Sequence, residues 1–185
     1  MTFVDRRLQD WRILAARRWL HHGDRVLDVG CADGTLFRRL RWLRDGVGID
    51  PMADPGHFTW SHRILRGNFP GDVDSNERFD AIVALAVFEH VPEGEGSQFA
   101  KACRHHLLPG GRVVLTVPAP VVDRMLHLLM RLHIIDGMEV HQHWGLRPSD
   151  IPGIFEKHGF QLVRRRRFEL GLNHLFVLAV PGEGE

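Results

Sequence analysis

The 185 residues are 44% hydrophobic and 25% charged, with 19 glycines and 10 prolines and neither an internal repeat nor a low-complexity tract. That composition excludes a disordered, collagenous or repeat chain and fits a single domain, residues 1–185, with one full core. Lys and Arg (24) nearly balance Asp and Glu (23), a formal charge of +1, so nothing in the balance requires nucleic acid or an anionic membrane as an obligatory partner.

Cys31 and Cys103 have no metal-ligand spacing, which argues for a reducing compartment. The N-terminus carries no signal-like apolar core, and no apolar stretch reaches the ~20 residues of a membrane span. A cytoplasmic protein is the expectation. Residues 3–21 place Leu8, Trp11, Ile13, Leu14, Trp19 and Leu20 at helical spacing, predicting a helix with one apolar side inside an N-terminal cap over 1–24. Val26 to Val29 reads as a first strand, about 35–44 as a helix, and Val47 to Ile49, ending at Asp50, as a second strand. A strand, helix, strand unit of this kind crosses over right-handed into a parallel sheet. Pro and Gly punctuate 51–78, where a reduced helix near 55–60 and a third strand near 62–66 are expected. Phe79 to Ala86 is apolar enough for a strand covered on both faces. A helix over 97–108, a tight turn at Pro109, Gly110 and Gly111, and a fifth strand over 112–117 follow. An apolar helix over 121–135, a short helix over 146–158 and a closing antiparallel hairpin over 160–170 and 173–180 complete the chain. The fold class is α/β: a doubly wound, mostly parallel seven-stranded sheet closed by an antiparallel C-terminal hairpin.

The turn after the first strand, Arg25 to Gly34 (RVLDVGCADG), selects the ligand. A dinucleotide fingerprint needs glycine at the third and sixth positions from Gly30, where this chain has Ala32 and Thr35. Asp28 beside the turn repels a diphosphate and suits an ammonium group. The helix opening at Gly34 to Leu36 exposes amides for a carboxylate. Asp50, with Pro51 beside it at the end of the neighbouring strand, can accept hydrogen bonds from both hydroxyls of a ribose. A ligand with an amino acid end and a nucleoside end is S-adenosylmethionine.

At this point the chain resembles the class I S-adenosylmethionine-dependent methyltransferases, in their small-molecule branch, over most of its length. Asp28-Val29-Gly30-Cys31-Ala32-Asp33-Gly34 is similar to their glycine-rich first motif, with Ala32 where the middle glycine usually stands; an alanine there is expected to hold φ negative. Asp50 resembles the ribose-binding acid. Asn68-Phe69 resembles the position where a polar side chain meets the adenine amino group and its neighbour packs on the ring, although Asp is frequent there. Phe79 to Val83, Val87-Phe88-Glu89-His90-Val91 and Leu108-Pro109-Gly110-Gly111 continue the pattern. The resemblance implies cofactor binding by Asp28, Gly30, Ala32, Gly34, Asp50, Pro51, Asn68 and Phe69, with the backbone of Leu85 along the methionine arm.

Three histidines are candidate catalytic residues. His90, next to Glu89 at a strand exit, either takes a proton from the attacking group or braces the loop. His141 and His143 alternate on an extended segment and are candidates for acceptor contact or proton removal. No metal site is expected, because 13 histidines make chance proximity common and there is no Cys/His framework. The segment 119–158 is expected to cover the substrate; its surplus of large apolar residues admits an apolar acceptor, a partner surface or core. Arg164 to Arg167 on a strand point to opposite faces, so a solvated sheet margin is favoured over a phosphate track. The expected function is methyl transfer to O, N or C of a small molecule, apolar acceptors included, by a monomer or dimer. The alternatives are an RNA or protein methyltransferase and a noncatalytic partner protein retaining the fold.

Overall fold

The computed structural model describes residues 3–54, 62–92, 94–119, 147–182 and 184. The expected helices at 55–60 and 121–135, the aromatics Phe58 and Trp60, and His141 and His143 lie outside the described residues.

The helix α1 spans Phe3–Arg17. Ile13 and Ala16, with Leu20 beyond its end, are buried, whereas Trp11 and Leu14 are 47% and 57% exposed. The single apolar side expected from spacing is therefore split between the sheet and solvent. Turns carrying Trp19 N to Ala16 O and Leu20 N to Arg17 O end the helix, so it stops short of residue 21.

Strands β1 (Val26–Val29), β2 (Val47–Asp50), β3 (Arg63–Arg66), β4 (Phe79–Leu85), β5 (Leu107–Pro118), β6 (Gln161–Phe168) and β7 (Asn173–Ala179) form one sheet in the order β3-β2-β1-β4-β5-β7-β6. The first five run parallel, while β7 pairs antiparallel with both β5 and β6. The doubly wound sheet and closing hairpin match the expectation. Chain order reverses between β1 and β4, where open α/β sheets present a crevice to ligands at the carboxyl ends of their strands.

Between β1 and β2, α2 covers only Thr35–Arg39. Leu40 and Leu43 remain buried in irregular backbone, which is why apolar spacing overextends this helix to 44. The next helix, α3, spans Gly96–His106, and α4 spans Ile151–Glu156, shorter than expected from 146–158. Pro109, Gly110 and Gly111 sit inside β5 as a bulge: Phe79 pairs with Leu107 and Ala81 with Arg112. A Cβ on Gly111 would lie 2.8 Å from Leu108 O, so the bulge requires glycine there.

The sheet is buried on both faces. On the α3 and α4 face, Ile82, Phe88, Phe155 and Phe176 pack in one cluster. On the α1 and α2 face, Phe37, Val83, Val114 and Val177 pack with Ile13 and Ala16. Charged clasps close the amino ends of the strands: Arg25 pairs with Glu77 while its amide donates to Asp80 Oδ2 at 2.7 Å, and Arg112 pairs with Asp24 and reaches Trp19 O. The carboxyl ends are left to the acids of the site.

Candidate active cleft

Strand β1 is buried along its length and breaks at Gly30, whose φ is +73°. A Cβ on Gly30 would lie 2.3 Å from Val87 Cγ2, so both conformation and space demand glycine. The Gly30 and Cys31 amides donate to Ile49 O at 2.8 and 3.3 Å, tying the turn to the end of β2. Ala32 departs from the expectation: its φ is +46°, in the left-handed region. Its amide donates to Asp50 Oδ2 at 3.0 Å, and this anchor holds the alanine in a conformation that costs an L-residue about 1–2 kcal/mol.

Three carboxylates surround this turn. Asp28 is 4% exposed, on a strand residue facing Gly48 and Val83 of the neighbouring strands. Burial, reinforced by the charges of Asp50 and Asp33, raises its pKa from 3.8 to about 8. Burial also pushes the Cys31 thiol up, with Asp28 adding to the effect. Asp50 Oδ1 accepts the Met52 amide at 2.7 Å while Oδ2 takes Ala32, which leaves a lone pair on each oxygen for a hydroxyl donor. Asp33 is pushed up by burial but held lower overall by Thr35 and Arg38. Its Oδ1 accepts both the Thr35 amide, at 3.2 Å, and the Thr35 hydroxyl, at 2.7 Å. The expected use of the helix opening by a ligand carboxylate is therefore corrected at Thr35, because Asp33 takes that amide and α2 is too short to build much dipole.

A cleft of about 370 Å³ lies beside the turn. Of the candidate residues, Gly30, Pro51, Asn68, Phe69 and His90 line it together with Val29 and Ile49. Asp28 lies buried in the strand before Gly30, while Ala32, Gly34 and Asp50 belong to the hydrogen-bonded turn at its edge. Leu85 is not in this lining; it packs into the core on the α1 face. The loop after β3 is held by Asp50 O, which accepts Gly67 N at 3.2 Å, and by Asp72 Oδ2, which accepts Asn68 N at 2.8 Å. Asn68 is exposed, and Phe69 stands edge-on to Phe99 of α3 at 5.2 Å. His90 is exposed on the 3-10 turn Phe88–His90.

The chain enters that turn through Ala86 at φ +57°, whose amide donates to Thr116 O at 3.0 Å and Thr116 Oγ1 at 3.1 Å. Phe99 in the cleft wall and Asp72 under Asn68 are not among the expected site residues, and Ala86, expected within the fourth strand, is left-handed. Phe99 was legible from helical spacing and Asp72 as a loop acid; nothing in the sequence signals a positive φ at an alanine.

Sheet order, the acid-flanked glycine turn and the cleft at the reversal point define a class I S-adenosylmethionine-binding methyltransferase fold. A methyltransferase-domain family model matches residues 2–165, and the chain belongs to that family. It is similar to a ubiquinone biosynthesis O-methyltransferase from Bradyrhizobium diazoefficiens, 33% identical over 105 residues, 51% of this chain and 40% of that protein. It is also 30% identical over 143 residues to a trans-aconitate 2-methyltransferase from Rhodopseudomonas palustris, 71% of this chain and 52% of the relative. The chain thus spans only about half, or less, of these relatives. Among solved structures, the magnesium protoporphyrin IX methyltransferase of Synechocystis, crystallised with S-adenosylhomocysteine, superposes with a TM-score of 0.67 at 15% identity, over 97% of this chain and 88% of the other. That likeness is one of fold.

Proposed function

We propose that the protein is an enzyme that moves a methyl group from S-adenosylmethionine to an oxygen of a small molecule. The observation that carries this reading is the pairing of Asp28 and Asp50 around a strained, glycine-dependent turn that opens on the cleft. The relatives' names, one an O-methyltransferase and the other acting on trans-aconitate, support a small acceptor over RNA or protein. Among the described residues, no helix is long and apolar enough to cross a membrane.

The residues present fit the cofactor. Asp50 keeps acceptor capacity on both oxygens for the ribose hydroxyls, and Asp28 offers negative charge to an ammonium group. Gly30 allows close backbone approach, and Phe69 with Asn68 forms the wall assigned to adenine. When bound, S-adenosylmethionine supplies an electrophilic methyl carbon on a sulfonium. The protein then has to orient the acceptor, keep water out and receive one proton. His90, exposed in the cleft wall, is the described residue assigned to the proton, while His141 and His143 keep their candidacy outside the described residues. The segment 119–158 is assigned as cover for the acceptor and 1–24 as the cap; of the former, 120–146 lie outside the described residues.

Methyl-labelled S-adenosylmethionine incubated with a panel of small hydroxylated acceptors, and separately with RNA and protein, tests the reading. Label is expected in the small-acceptor fraction. Label confined to RNA or protein would overturn it, and cofactor binding without labelled product in any fraction would favour the noncatalytic alternative. His90→Gln is expected to lower turnover about 100-fold and flatten its pH profile while leaving cofactor affinity intact; an unchanged pH profile removes His90 from the proton role.

A further inference from the structure

The formal charge of +1 is unevenly spread over the surface. On α1, Arg7, Trp11, Leu14 and, just past its end, Arg18 recur at steps of four, three and four residues, the spacing of one helix face. All four are exposed, on the side turned away from the buried Ile13 and Ala16. Strand β6 continues this face. Arg164 pairs across with Val177 and Arg166 with Leu175, and both partners belong to the core on the α1 face. Residues directly opposite in a sheet share a face, so Arg164 and Arg166 stand on the α1 side, while Arg165 turns to the other side and lies over Phe176 at 5.3 Å. Trp11, Leu14, Arg18, Arg166 and Leu170 meet along an open groove between α1 and the turn after β6.

Of the six large apolar side chains that stand exposed among the described residues, three gather at this groove: Trp11, Leu14 and Leu170. The backbone holds the last of these out. Glu169 and Leu170 occupy the left-handed region in succession, at φ +51° and +56°, which turns the Glu169 carboxylate inward to Asn173 and leaves the Leu170 side chain 99% exposed. A conformation that suits glycine is thus spent on presenting a leucine to the outside. Asp10 of α1 pairs with Arg39 at 2.9 Å and Glu169 is buried, so neither is available to the arginines of this face.

We propose that this face docks on the surface of an anionic lipid bilayer, with Trp11, Leu14 and Leu170 entering the interface and Arg18, Arg164 and Arg166 meeting the headgroups. Contiguous exposed apolar side chains mark an interaction surface, and the arginines around them select a negatively charged one. A second copy of the chain fits poorly, because a two-fold contact sets the patch against itself and brings arginine onto arginine. An anionic bilayer meets each feature: its headgroups attract the guanidinium groups, its interface accommodates indole, and its acyl boundary takes the leucines. The cleft residues Val29, Ile49 and Phe99 belong to the core on the opposite, α3 face, so docking leaves the cleft open and the proposal stands apart from the methyl-transfer reading.

Co-sedimentation of the whole protein with vesicles tests the proposal. Vesicles of equal parts phosphatidylglycerol and phosphatidylcholine are expected to bind it about 100-fold more tightly than phosphatidylcholine alone, from about fivefold for each of the arginines, and high salt should remove the difference. Arg18→Glu combined with Arg166→Glu should weaken binding to the anionic vesicles by about 25-fold or more. Leu170→Gly, which relieves the left-handed backbone, should also weaken it. Lipids brominated on their acyl chains should quench tryptophan emission, and Trp11→Phe, which keeps an aromatic anchor, should stay bound and lose that quenching. S-adenosylhomocysteine affinity is expected to be unchanged in every variant, with or without vesicles, and reports that each one folds. Failure to bind the anionic vesicles at low salt, equal binding to both kinds of vesicle, binding that survives the double arginine substitution in a folded protein, or quenching untouched by Trp11→Phe would each overturn the proposal.

Discussion

Ala32 carries a side chain through the left-handed region because Asp50 holds its amide. Glycine adopts that conformation without penalty, so Ala32→Gly is expected to stabilise the protein by about 1 kcal/mol in chemical denaturation; a destabilised variant would show that the alanine methyl makes compensating contacts. Asp28 gives the site its pH dependence. With a folded pKa of about 8 against an ordinary 3.8, the free protein holds more protons than the unfolded chain between those values. Its contribution to stability is therefore greatest at low pH and declines as pH rises from 4 toward 8. An ammonium ligand favours the ionised carboxylate, so S-adenosylmethionine affinity should rise with pH up to about 8, with proton release visible as a buffer-dependent binding enthalpy. A binding enthalpy independent of buffer at pH 7 would contradict that role.

Elements were legible where burial is continuous. The run Val26 to Val29 and the run from Phe79 each read as strands because both faces are covered. Helix ends were less legible: Leu40 and Leu43 are buried without being helical, so apolar spacing alone extends α2 too far. Pro109 to Gly111 reads as a turn locally, yet the sheet absorbs it as a bulge, a pairing that depends on β4. On α1, spacing counts Trp11 and Leu14 as inward, but it carries no information on what covers them. The Arg164 to Arg167 run was legible, since β6 is the margin strand and its residues through Arg167 are exposed. The clasp at the other end of the sheet offers a test of how elements are joined. Asp24 accepts from Arg112 and, at 2.6 Å, from the His21 amide, linking the exit of α1 to β5. Asp24→Ala leaves a largely buried guanidinium without its carboxylate and should cost about 3 kcal/mol; a loss under 1 kcal/mol in urea unfolding would show that Trp19 O and water suffice.

Across the whole molecule, charge and space divide the sheet into two ends. Arginine and carboxylate groups at the amino ends, such as Arg25 with Glu77 and Arg112 with Asp24, neutralise one another. At the carboxyl ends, Asp33 is matched by Arg38, but Asp28 and Asp50 are left with neighbouring negative charge that a cationic ligand relieves. The fold and the acids were readable in order and spacing, because a strand-end carboxylate has few other uses beside a glycine turn. That Phe99 of α3 reaches the cleft wall depends on tertiary approach and was not, whereas His90 after β4 was named from the sequence. The central claim is that Asp50 grips the sugar of the cofactor. Calorimetric titration of S-adenosylhomocysteine into the wild type, Asp50→Asn and Asp50→Ala tests it most directly. Affinity is expected to fall modestly in the first variant and about 10- to 100-fold in the second, whereas unchanged affinity in a folded Asp50→Ala protein would contradict the claim.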